Sequence, residues 1–298
     1  MDNPTREILD SLYGNYEIEW MPGLNCKFKL SPEQGSAKFV KITPWDNQIM
    51  NFMHDFKTCL GIYLGAEFEG VSDFILPKAV SITERAASQL VIIEWLKLDK
   101  YEIKNEQDID YFFRTLKLLH AHLTKYCRID RRLPVDYLPE SYRLALNKIG
   151  KETIYDLILQ RIIQLECSTE TVSHNDIHYG NVFYCEGKIA FVDLDEVCWS
   201  DPRNDIGSAC ANLCSIFFST PEELLILIKR AFTAYSGYSP SPIDLYMLIL
   251  FGYRKILHAQ AYYFIVRDVM KKSFDAEIAQ LNSIESVFAD ALKKQKAT

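Results

Sequence analysis

The chain has 298 residues, 48% of them hydrophobic and 24% charged, with a formal net charge of −7. Such a length can bury a large core and form two lobes. The acidic balance argues against nucleic acid as a partner, and no apolar stretch is long enough to span a membrane. The eight cysteines (26, 59, 127, 167, 185, 198, 210 and 214) include no C-x-x-C pair, which speaks against a zinc ribbon or a redox motif.

The opening Met-Asp-Asn-Pro-Thr-Arg-Glu has neither the basic nor the apolar region of a signal peptide, so a cytoplasmic location is expected. Asn3 and Pro4 suit the cap and first position of a short helix, with Ile8, Leu9, Leu12 and Tyr13 as its apolar stripe and Gly14 as its stop. Strand-like runs follow at 16–20, 26–30 and 37–42. Gly23 lies in the turn between the first two; by composition alone this is an ordinary hairpin turn. Lys41 closes the third run and, out of context, reads as a solvated lysine. A helix is expected over 46–64, with Asp46 and Asp55 as its only carboxylates. Two further strands are expected at 74–80 and 90–95.

From 105 onward the periodicity becomes helical: Ile109, Phe112, Phe113, Leu116, Leu119 and Leu123 mark a helix to 126. More helices are expected at 140–148, 153–166, 205–218, 221–235, 242–264 and 273–292. Pro221 suits a first turn that Ser219 or Thr220 caps.

Residues 173–207 interrupt this helical pattern with clustered polar chemistry. His174-x-Asp176-x-His178 and Asn181 precede Val182-Phe183-Tyr184 and Ile189-Ala190-Phe191-Val192, two short strands around a Glu186-Gly187 turn. Asp193, Asp195 and Asp201-Pro202-Arg203-Asn204-Asp205 follow. A hairpin returns the chain to its start, so Asp176, Asn181 and Asp193 can converge. An amide oxygen and a carboxylate suit Mg²⁺ carrying phosphates, and a second carboxylate can take a proton from a hydroxyl, which is the parts list of phosphoryl transfer.

The H-x-D-x-x-x-x-N spacing of 174–181, then Val192-Asp193, then D-P-x-x-D at 201–205 resembles the aminoglycoside phosphotransferase and choline kinase family, small-molecule kinases with a protein-kinase-like fold. The resemblance implies an α+β two-lobed fold: an antiparallel-sheet nucleotide-binding lobe over 1–95 and a mainly helical catalytic and acceptor-binding lobe over 96–298. It implies ATP and Mg²⁺, with Asp176 as the catalytic carboxylate and Asn181 and Asp193 as metal ligands. Lys41 becomes the phosphate-binding lysine of a V-A-I-K-like strand, Gly23 the turn over the phosphates, and Glu94 to Leu96 the hinge whose backbone reads adenine. Asp55 is then the better helix partner for Lys41, although the pattern wants a glutamate there. Asp205 braces the catalytic loop, His174 is structural, and His120 ends a helix in the family's L-x-x-L-H manner. The implied partner is a small-molecule hydroxyl acceptor, with a cationic one favoured by the net charge, and neither nucleic acid nor membrane.

Three alternatives stay open. His174, Asp176 and His178 could form a metal-dependent hydrolase site with Zn or Fe. The chain could bind ATP as a regulatory protein without turnover. Thr220-Pro221-Glu222 mimics the A-P-E of protein kinases, although Val192-Asp193-Leu194-Asp195 replaces D-F-G and an apolar helical run fills 206–218. Asp195, Glu196 and Trp199 face either the acceptor or a solvated turn.

Overall fold

A computed structural model describes residues 3–21, 26–44, 62, 73–84, 88–127, 129, 138–165 and 170–296. Helix α1 (Asn3–Tyr13) is amphipathic and buries Leu9 completely. Strands β1 (Tyr16–Trp20), β2 (Cys26–Pro32) and β3 (Lys38–Pro44) follow, then the two-residue β4 (Phe74–Ile75), β5 (Ala79–Glu84) and β6 (Ser88–Glu94). Five of them form one antiparallel sheet in the order β1-β2-β3-β6-β5. The sheet buries both faces of β6. Leu90 and Ile92 join Leu9, Phe28, Leu30, Val40 and Ile42 beneath α1, while Val91 and Ile93 belong to the larger core. A strand covered on both sides needs an unbroken apolar run rather than an alternating one, as Leu90-Val91-Ile92-Ile93 supplies.

The expected strand at 74–80 is two strands in different sheets. Pro77 lies between them and cannot donate to a ladder. Beyond it β5 joins the large sheet, whereas β4 runs parallel to a strand of the 182–191 hairpin. That second sheet, β4-β10-β9-β7, includes β7 (Asp99–Lys100) and the hairpin strands β9 (Val182–Cys185) and β10 (Lys188–Phe191). Strands β8 (Thr171–Ser173) and β11 (Cys198–Ser200) pair with each other on either side of the hairpin. β7, β8 and β11 have two or three residues each, too few to show a period.

The remaining chain is helical: α2 (Glu106–Tyr126), α3 (Glu140–Lys148), α4 (Glu152–Gln164), α5 (Arg203–Asn212), α6 (Pro221–Ser236), α7 (Pro242–Met270) and α8 (Asp275–Lys296). α5 begins before 205, because the Asp201 carboxylate accepts the Arg203 amide at 2.9 Å. It stops at Asn212, short of 218, and a single 3-10 turn over Ser215–Phe217 follows. Thr220 and Glu223 form a reciprocal capping box on α6. α7 runs six residues past 264, with Leu248, Ile249, Leu250 and Phe251 consecutively buried. Among the described residues, no helix is long and apolar enough to cross a membrane.

α5 and α7 touch backbone to backbone. A Cβ on Gly207 would lie 2.6 Å from the Leu248 carbonyl oxygen, and one on Gly252 would lie 3.0 Å from the Gly207 carbonyl oxygen. Only glycine permits this approach, and it brings the middle of α7 against the loop that carries the polar cluster.

Candidate active site

The hairpin β9–β10 turns through Glu186 and Gly187, both with positive φ (52° and 77°), the geometry favoured for two-residue loops. Val182 pairs with Phe191, and the Val192 amide donates to the Asn181 carbonyl at 3.0 Å. Asn181 and Asp193 therefore leave the ladder side by side.

The loop before the hairpin is held from below by Asp205, which is fully buried in the first turn of α5. Its carboxylate accepts the amides of His174 and Asn175 and the His120 Nε2–H, each at 2.8 Å. His120 Nδ1 in turn takes the Tyr235 hydroxyl at 2.8 Å. Asn175 sits in the left-handed region (φ 65°), which an asparagine tolerates better than most residues. Its amide donates to the carbonyls of Ser173 and Glu196, and its Oδ1 accepts from Ser200 and Asn204. The strained turn is thus fixed on both sides.

Asp176 projects from this loop into a cavity of about 540 Å³. Asn181 Nδ2 donates to Asp176 Oδ2 at 2.7 Å, His178 Nε2 lies 3.3 Å from the same oxygen, and Lys255 of α7 binds Oδ1. Burial would raise the Asp176 pKa. The ammonium of Lys255, followed by the His178 ring beside it, outweighs it and holds the carboxyl well below its ordinary range. With its amide nitrogen committed to Asp176, Asn181 keeps its amide oxygen for a ligand.

His174 and His178 have no vacancy for a metal. His174 Nε2 meets the Val192 carbonyl at 3.0 Å and its Nδ1 accepts the Asp176 amide at 3.3 Å. Burial holds its pKa down, so the ring is neutral. His178 Nδ1 accepts the Gly180 amide at 2.9 Å while Nε2 faces Asp176. Among the described residues, no group of three His, Cys, Asp or Glu could hold a metal ion. Nothing in this arrangement fits the hydrolase alternative.

Lys41 reaches the same region from β3. It is 5% exposed, and its ammonium binds Asp193 Oδ1 at 2.7 Å and Asp195 Oδ2. Burial would lower its pKa, but the two carboxylates override that and raise it. Asp193 adopts a left-handed conformation (φ 60°) at the hairpin exit, with its side chain 39% exposed. Asp195, 10% exposed, faces Lys41 rather than an acceptor. The Trp199 indole N–H donates to the Ile129 carbonyl, so of Asp195, Glu196 and Trp199 only Glu196 lines the cavity. Asp193 and Asn181 both line the cavity, and their oxygens are hard donors of the kind that fits Mg²⁺ completed by phosphate and water oxygens.

At the proposed hinge, the amides of Glu94 and Trp95 donate to the carbonyls of Lys78 and Ala37, so an adenine there would rely on the Leu96 amide. Gly23, Asp46 and Asp55 lie outside the described residues. Two lysines escaped the sequence reading. Lys27 stands opposite Lys41 in the β2–β3 register and lines the cavity. Burial, partly offset by Asp193, lowers its pKa. Lys255 is the other; it lies in an apolar helix 79 residues beyond Asp176, and nothing local marks it.

Residues 74–240, more than half of the chain, match the family described as APH, phosphotransferase enzyme family. Among solved structures, an amicoumacin kinase in complex with AMP-PNP and Ca²⁺ aligns at a TM-score of 0.67 and 18% identity, over 96% of this chain and 94% of that one. A choline kinase from Streptococcus pneumoniae aligns at 0.64 and 14% identity, over 96% and 98%. A spectinomycin phosphotransferase in complex with ADP and spectinomycin aligns at 0.55 and 11%, over 100% and 99%. At these identities the structures show a shared fold. No curated protein matches the sequence. The ordered motifs of 174–205, the kinase-like architecture and the family match over 74–240 lead to one assignment: the chain belongs to the phosphotransferase enzyme family.

Proposed function

We propose that this chain transfers the γ-phosphoryl group of Mg-ATP to a hydroxyl of a small molecule. One observation carries the reading: the hairpin places Asn181 and Asp193 side by side, and Asn181 also holds Asp176. Asp176 orients the acceptor hydroxyl and takes its proton as the new oxygen–phosphorus bond forms and the bond to the leaving ADP breaks. Its low pKa makes it a weak base, which suits a loose transition state in which the proton moves late. Lys41 exchanges one of its carboxylate contacts for the α- and β-phosphates, and Lys27 adds a second cation beside it. Asn181 and Asp193 would hold Mg²⁺, which when bound neutralises charge on the phosphate oxygens. The Glu94 to Leu96 edge receives adenine. Asp205 braces the loop without touching substrate.

The acceptor side of the cavity is lined by Tyr142, Tyr262, Glu196 and Glu277. Aromatic faces beside carboxylates suit an alcohol that also carries an amine or quaternary ammonium. The choline kinase and the spectinomycin phosphotransferase with the same fold are named for acceptors of this kind.

The test is to incubate the purified protein with Mg-ATP and a library of hydroxylated metabolites and antibiotics, following ADP release and phosphorylated product. Acceptor-stimulated ADP with a matching phosphate ester is the expected result. ATP binding without turnover against the whole library would favour the regulatory reading, and no ATP binding at all would remove both.

A further inference from the structure

We propose that Lys255 is a positioning residue for phosphoryl transfer, acting through Asp176 from a helix that carries no motif. The inference rests on the phosphotransferase reading above. Among the described residues, three donors hold the Asp176 carboxylate. Asn181 and His178 bind Oδ2, and both belong to the same loop as Asp176, five and two residues away. They move with that loop and cannot fix it against anything else. Lys255 binds Oδ1 and is the donor from a second element.

That element is itself firmly placed. Gly252, three residues before Lys255, packs against Gly207 of α5 at backbone distance. Arg254 donates to Asn204 at 3.0 Å, and Asn204 donates to Asn175 of the loop. Lys255, His258, Ala259 and Tyr262 recur at helical spacing and line the cavity, so this face of α7 forms the wall opposite the Asp176 carboxylate. The ammonium therefore sets the carboxylate against the same wall that lines the acceptor space. A proton acceptor has to lie within hydrogen-bond reach of the hydroxyl, and misplacement by about 1 Å can cost roughly 10²-fold in rate.

The measurement is steady-state kinetics with Mg-ATP and the most active hydroxylated compound of the screen, on the parent, Lys255→Met, Lys255→Arg, Asp176→Asn and the Asp176→Asn/Lys255→Met double variant. Lys255→Met should lower kcat by about 10²-fold while KM for ATP stays within about twofold. Lys255→Arg should recover at least about tenfold of that loss, since it keeps a cation on Oδ1. The double variant should be no slower than Asp176→Asn alone, because a residue acting through Asp176 then has nothing to act through. It also buries no unpaired charge, so it reports even where Lys255→Met folds poorly. A Lys255→Met enzyme within twofold of the parent, or a double variant slower than Asp176→Asn by the full Lys255→Met factor, overturns the proposal. A parent without acceptor-stimulated ADP release overturns the phosphotransferase reading and this inference with it. An active parent with an unaffected Lys255→Met overturns only the role of Lys255.

Discussion

Lys41 and Lys255 bring a buried and a half-buried ammonium to one cleft from unlike supports. Lys41 stands on β3, which is hydrogen-bonded to β2 on one side and β6 on the other, and it faces Asp193 and Asp195. Lys255 stands on a 29-residue helix whose position depends on a glycine–glycine crossing, and it faces Asp176. The sheet fixes its lysine by a ladder of local pairs. The helix fixes its lysine by a backbone-close crossing one turn away, with the adjacent Arg254 bonded to Asn204. In both cases the burial that would discharge the ammonium is outweighed by carboxylates.

The contrast can be sharpened first at the carboxylate Lys255 holds. Asp176→Asn should lower kcat by about 10²- to 10⁴-fold while ATP affinity is retained, because the nucleotide side of the cleft keeps Lys41 and Asp193. Turnover within twofold of the parent would contradict it. On the other support, Lys41→Met should reduce kcat/KM for ATP by about 10- to 100-fold. It should also cost about 1–3 kcal/mol of stability, since Asp193 and Asp195 lose the cation between them. Unchanged ATP kinetics and an unchanged melting temperature would show that Lys41 neither serves the nucleotide nor contributes through its two carboxylates.

Gly207→Ala tests the helix support without altering any side chain of the polar cluster. The added methyl meets the Leu248 carbonyl oxygen and Gly252, so α5 and α7 must separate, at about 1–3 kcal/mol. The same change on a helix without such a crossing would be neutral or stabilising. A Gly207→Ala protein as stable and active as the parent would mean that the crossing does not hold Lys255 in place.

The smallest effect concerns pH. Burial, reinforced by Arg254 and Lys255, holds His258 well below the ordinary histidine range, and Asp176 only partly opposes them. The unfolded chain takes up this proton near pH 6.5, where the folded chain does not. The histidine therefore contributes stability that is fully present above about pH 6.5 and declines on acidification, by at most about 1.4 kcal/mol per pH unit. Replacing His258 by Asn should flatten the fall in melting temperature between about pH 6.5 and 5. Parallel slopes for the two proteins would show that His258 is not buried neutral.

How much of this was legible follows from how local each feature is. The convergence of Asp176, Asn181 and Asp193 is encoded within 18 residues by two β-rich runs and a Glu-Gly turn, so the strand pattern alone brings them near one another. Lys41 could be placed only by analogy with a kinase strand, and its partner Asp195 was read as facing either the acceptor or a solvated turn. Nothing in Asp193-Leu194-Asp195 indicates that a 3-10 turn over Leu194–Glu196 swings the second carboxylate toward β3. Lys255 was invisible because its helix is largely apolar and carries no motif that marks a charged residue in it as functional. The strand expected at 74–80 was split by Pro77, a signal that was present and passed over.

The central claim is that Asn181 and Asp193 serve a hard divalent cation while the histidines beside Asp176 serve the loop. It is tested most directly by measuring acceptor-stimulated ADP release against Mg²⁺, Mn²⁺ and Zn²⁺ concentration for Asn181→Ala, Asp193→Asn and His178→Ala. Asp193 brings a full charge and Asn181 only an amide dipole. Asp193→Asn should nearly abolish Mg²⁺-dependent turnover, Asn181→Ala should reduce it with a raised Mg²⁺ requirement, and His178→Ala should keep the parent's metal preference. Loss of metal dependence in His178→Ala, with Asp193→Asn responding to Mg²⁺ as the parent does, would contradict the account.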